Sequence, residues 1–180
     1  PSPERLLLII RSAKESKAIK CAEMDAQGVS QSCFPNDPSY QSNQWGPIFI
    51  WADSAWCYIT GGSDNWIAVI DDAVDWNHPD LDDYYESSLD YDFCSNDNDP
   101  TPSSFDGHGT AAAGVAASVG NNSLGTTGSA PEAGLVGLEL ISCSLSDSRE
   151  GDALSHENQL IDIYSNSWGP SDNGQTLEAP

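Results

Sequence analysis

Apolar residues in this chain gather into short continuous runs separated by long polar stretches. Ile67-Ala68-Val69-Ile70 is a mostly β-branched run of strand length, of the kind that is buried on both faces. The Gly61-Gly62-Ser63-Asp64-Asn65 turn delivers the chain into it. Residues 134–141, Gly-Leu-Val-Gly-Leu-Glu-Leu-Ile, predict a second strand and residues 161–165 a third. Residues 109–119, rich in alanine, predict a helix able to lie close to a sheet, and 152–161 predict another. Near the start, Leu7, Ile10, Ala13 and Lys17 recur at helical spacing, with no Gly or Pro inside 4–24. Residues 25–46 read as loop, and 47–60 alternate weakly, with Trp51 and Trp56 as expected packing anchors. Residues 82–107 form a long polar loop thick with Asp and Asn, a length that marks functional or metal-bound loops. Strand, helix, strand, helix, strand predicts an α/β domain with a mostly parallel sheet. It is expected over 36–180, with 1–35 as a separate N-terminal segment.

Charge sharpens that division. The net charge is −22, yet Arg5, Arg11, Lys14, Lys17 and Lys20 crowd the first 20 positions and only Arg149 follows. So acidic a body should repel nucleic acid and anionic membranes, and suits divalent cations or cationic substrates. The five cysteines (Cys21, Cys33, Cys57, Cys94 and Cys143) form no C-x-x-C pair, which argues against zinc and thioredoxin-type sites. Their scatter favours disulfides in an oxidising compartment, with the connectivity open. Leu6 to Ile10 is too short to span a bilayer, and no signal peptide is visible.

The strand at 66–70 ends at two carboxylates, Asp71 and Asp72. Open parallel sheets hold their chemistry just beyond the strands' carboxyl ends. Downstream, His108-Gly109-Thr110 opens the small-residue helix. An acid at a strand end and a histidine at a helix start are two members of an Asp…His…Ser triad, in one of its known chain orders. No serine within the chain has the setting of the nucleophile.

The segments Ile-Ala-Val-Ile-Asp-Asp (67–72), His-Pro-Asp-Leu (78–81), His-Gly-Thr-Ala-Ala-Ala-Gly-Val-Ala-Ala (108–117) and Ile-Tyr-Ser-Asn-Ser-Trp-Gly-Pro (163–170) resemble those of the subtilisin-like serine proteases. The Asp71-Asp72 pair, the Asn-Asp-Asn-Asp-Pro loop (96–100) and Ser-Trp-Gly-Pro-Ser-Asp (167–172) are similar to the kexin/furin-like proprotein convertase branch. The resemblance implies a subtilisin-like three-layer fold, incomplete at its C-terminal side. It makes Asp71 the triad acid and His108 the base. Ser167, Trp168 and Gly169 become the edge that pairs with substrate backbone, while Asp72 and Asp172 face basic substrate side chains. It also implies calcium, held by Asp37, Asp80, Asn122 and the carbonyls of Val119 and Leu124, with a second site at Asp92 and Asp99. Thr101 stands where the family tends to have a further aspartate. The Asp-rich loop is not an EF-hand, because Pro102 replaces the required glycine.

The expected function is therefore a secreted or luminal serine endopeptidase acting on peptide or protein substrates, cutting after basic residues. Its nucleophile is expected in a C-terminal half of the domain or on a partner chain. The alternative is a non-catalytic calcium-binding or protein-interaction subunit derived from a truncated relative. The basic segment within 1–35 reads either as a propeptide remnant or as a surface helix. A magnesium-binding receiver domain would also end a strand in paired acids, but leaves His108-Gly109-Thr110 and Ser167-Trp168-Gly169 without a role.

Overall fold

A computed structural model describes residues 33–62, 64–103 and 106–169. The predicted helix within 4–24 and Asp172 lie outside these residues.

Four parallel strands form one sheet in the order β2-β3-β1-β4: β1 Trp66–Asp71, β2 Tyr91–Asp92, β3 Gly134–Glu139 and β4 Ile163–Asn166. From β1 the chain builds β3 on one side and later returns to place β4 on the other. The strand order thus reverses at β1, and the carboxyl end of such a strand is where open α/β sheets bind and react.

The alternation of side chains along β1 decides which residue faces which layer. Ile67 and Val69 join Leu135 on one face, packed against Ala113 and Ala117 of helix α4, His108–Ala117. Ala68 and Ile70 join Val136 and Leu138 on the other face, with Phe93, Ile161 and Ala153. Ala153 belongs to helix α5, Asp147–Ser155. Helix, sheet and helix give the expected three layers.

Two expectations shift. The predicted helix at 152–161 begins and ends earlier, as α5. Ser146 caps it by accepting the Arg149 N–H, and Glu157, at φ 48°, turns the backbone out of helical space. Residues expected to be loop or weakly alternating instead form three short helices: α1 Tyr40–Asn43, α2 Trp45–Phe49 and α3 Ala52–Trp56. Trp56 is an anchor, buried beside Tyr40 and donating Nε1–H to the Ser129 carbonyl at 3.0 Å. Trp51 is not: it occupies a left-handed position between α2 and α3 and stays 73% exposed.

Disulfides join Cys33 to Cys57 and Cys94 to Cys143. Among the described residues, no helix is long and apolar enough to cross a membrane.

Candidate active site

The period of two along β1 that points Ile67 and Val69 at α4 does the same for Asp71. Its side chain is fully buried, and its Oδ1 lies 2.7 Å from His108 Nδ1. The same oxygen accepts the Asp72 N–H at 2.8 Å, while Oδ2 has no partner among the described residues. A proton on Nδ1 leaves Nε2 as the basic nitrogen, and the His108 side chain is 58% exposed. The hydrogen bond to Asp71, and then its charge, raise the imidazole pKa above its ordinary value.

Helix α4 reaches this strand end because Gly109 lets it. A Cβ there would lie 2.2 Å from the Ala73 carbonyl oxygen and 2.8 Å from Asp71 Cβ. Any larger residue would push the helix, and His108 with it, off Asp71. The Thr110 hydroxyl accepts the Asp75 N–H at 2.9 Å, tying the chain beyond β1 to the same helix turn. Asp72, expected to face substrate, turns both carboxylate oxygens to the first N–H groups of α4.

The expected substrate segment directly follows the edge strand β4. Trp168 is half-buried and donates Nε1–H to the Ile70 carbonyl at 2.8 Å, whereas Ser167 and Gly169 are exposed. A Cβ at Gly169 would meet nothing within 4 Å.

Asp37 and Asp80 are both buried, and Asn122 links them. Its N–H donates to Asp37 at 3.1 Å and its Nδ2 to Asp80 at 2.8 Å, while its Oδ1 accepts the Leu124 N–H. Asp37 also takes the N–H groups of Asn121 and Ser123 and the Thr127 hydroxyl; Asp80 takes those of Thr126. Val119 N–H donates to the Asp80 carbonyl. No cationic side chain joins this group among the described residues. Two buried carboxylates with only neutral donors, surrounded by oxygen-bearing loops, are chemically apt for a hard divalent cation.

Asp92 and Asp99 receive different partners. Asp92 accepts the N–H groups of Cys94 and Ser95 and lies beside Glu139 of β3, whereas Asp99 takes the Thr101 hydroxyl. The paired strands β2 and β3 hold Asp92 in place.

Two acids escaped the sequence reading. Glu139 pairs in register with Asp71, and its pKa is pushed up to about 7, by burial first and then by the charge of Asp92. The one acid within an otherwise apolar strand was the available signal. Asp90 is buried, accepts the Tyr85 hydroxyl at 3.1 Å and is pushed up to about 6, chiefly by burial. Tyr85 in turn takes the Gly137 N–H.

Known proteins resemble this chain in sequence and fold. The subtilase family model matches residues 62–179. A PC3-like endoprotease of Hydra vulgaris is 35% identical over 178 residues, covering 90% of this chain and 25% of the relative. Human neuroendocrine convertase 2 is 40% identical over 119 residues, covering 63% of this chain and 19% of the relative. A solved serine protease of Aeromonas sobria superposes with a TM-score of 0.58 at 29% identity, over 67% of this chain and 21% of that one. The chain thus spans about a quarter or less of these relatives. It belongs to the subtilase family, on its kexin/furin-like branch.

Proposed function

We propose that this chain carries the acid and the base of a serine endopeptidase, with Asp71 orienting His108 and stabilising the imidazolium as it forms. The observation that supports this reading is the 2.7 Å contact between a fully buried carboxylate and an exposed imidazole. With Nδ1 engaged, Nε2 is free to take the proton of a serine hydroxyl as it attacks a peptide carbonyl, and then to return it to the leaving amine.

Ser167 and Gly169, exposed beyond the edge strand, would pair with the substrate backbone as an added strand, and Trp168 would anchor that segment to the sheet. Asp172 would favour substrates with basic side chains, because a substrate that leaves such an acid unpaired is rejected; Asp72, whose two oxygens accept helix N–H groups, would add only its charge. Subtilases generally bind calcium. Here Asp37, Asp80, Asn122 and the carbonyls of Val119 and Leu124 would hold it. The ion would supply a charge that fastens three loops together. Two disulfides suit a secreted or luminal setting.

The test is to treat the native protein with a fluorophosphonate probe and with peptides bearing basic residues. Labelling of a serine and cleavage, both abolished in His108→Ala, are expected. A folded native protein that neither labels nor cleaves would overturn the reading.

A further inference from the structure

We infer that Asp72 is a positioning residue for His108, acting as the N-terminal cap of the helix that carries the base. This rests on the reading of His108 as that base, and goes beyond the substrate-facing role given to Asp72 above.

The first N–H groups of any helix lack partners within it, and a Ser, Thr, Asn or Asp at the preceding position normally accepts one of them. Helix α4 has Gly107 there, which has no side chain to offer. The cap comes instead from the end of β1. Asp72 Oδ2 accepts the His108 N–H at 3.1 Å, and Oδ1 accepts the Gly109 N–H at 2.6 Å. A carboxylate is also the charge that a helix N-terminus favours.

Two adjacent residues thus hold His108 in two ways. Asp71 grips the ring, and Asp72 grips the backbone that carries it. If the ring alone were held, the exposed side chain could keep its contact while the helix start shifted. If the backbone alone were held, the imidazole could rotate away. The second grip has its own support, because the Ser142 hydroxyl donates to the Asp72 carbonyl and fixes the peptide from which the carboxylate projects. The charge of Asp72 adds to that of Asp71 in raising the basicity of His108.

The chemistry explains why an acid stands here. A carboxylate offers two acceptor oxygens to two N–H donors. Asparagine would offer one, and would turn its NH2 toward the other donor. Serine would serve a single N–H, and alanine none.

The experiment compares the 1–180 chain with its Asp72→Asn, Asp72→Ser and Asp71→Asn variants by NMR. It reads amide exchange at His108, Gly109 and Ala113, and the titration of the His108 ring. Asp72→Asn should speed exchange about tenfold at whichever of His108 and Gly109 faces its NH2, the size of a lost cap, while the other amide and Ala113 in mid-helix keep their protection. It should also lower the His108 pKa. Asp72→Ser should likewise protect only one of the two amides while the pKa falls, a split that a purely structural role would not produce. If Asp72→Asn unfolds the helix, so that Ala113 loses protection too, Asp72→Ser decides the matter by the same two readouts. Wild-type exchange and wild-type pKa in the folded Asp72 variants would overturn the proposal. An unchanged His108 pKa in Asp71→Asn would instead count against His108 as the oriented base, and leave the cap standing.

Discussion

At the end of β1, Asp71 meets an ionisable ring; in the loops around Asn122, Asp37 and Asp80 meet only amides and hydroxyls. Both regions bury carboxylates in a chain of net charge −22, and both join segments distant in sequence. The imidazole answers the charge of Asp71 within the fold and can gain or lose a proton, so that contact can do chemistry. Neutral donors fix the shape around Asp37 and Asp80 and bring no opposite charge to them, which supports the calcium site proposed above. What an acidic motif does is decided by the partner that the fold brings to it.

The largest effect that separates the two regions is on turnover. Asp71→Asn in the active protease should lower kcat about 10⁴-fold, the loss found when a triad acid elsewhere is made neutral, with little loss of stability. Measured kcat within tenfold of wild type would erase the distinction. In the other region the loss should fall on stability. Calcium at about 100 times its Kd should stabilise the wild-type chain by about 2.7 kcal/mol. Asp80→Asn should abolish that gain, as followed by thermal melts with calcium and with a chelator. An equal calcium response in the variant would remove Asp80 from the site.

Asp90 offers an internal control, since its recorded partner is the neutral Tyr85 hydroxyl. Tyr85→Phe should cost about 1–3 kcal/mol, because it leaves buried polar groups unsatisfied. Denaturant titration would show this, and no change would mean that Asp90 is already satisfied by water. The smallest effect should be pH-dependent stability at His108. Its raised pKa means that the folded state favours the protonated ring. The contribution is present in full below the ordinary histidine pKa and is lost as pH rises through the raised value. It should be small, because the ring is exposed. His108→Gln should therefore melt below wild type at pH 5 and alongside it at pH 9.

Much of this was legible before the fold. A β-branched run ending in an acid, followed by a histidine opening a small-sided helix, depends on local rules: side-chain alternation and tight helix–sheet packing. The residues around Asp37, Asp80 and Asn122 were legible by resemblance. What could not be read depended on contacts between distant segments. The oxygens of Asp72 turn to a helix start far along the chain. Asp92, in β2, and Asp99, in the loop beyond it, take different partners. Helix α5 starts upstream of its predicted span because the Ser146 side chain caps it by accepting the Arg149 N–H. Trp51, expected to be a packing anchor, sits at a left-handed position and is exposed.

The most direct test of the central claim is the nitrogen-15 NMR spectrum of the His108 ring across its titration. The ring should show a pKa above the ordinary histidine value and a neutral form with its proton on Nδ1, and both features should be lost in Asp71→Asn. A ring that titrates normally and carries its neutral proton on Nε2 would contradict the account.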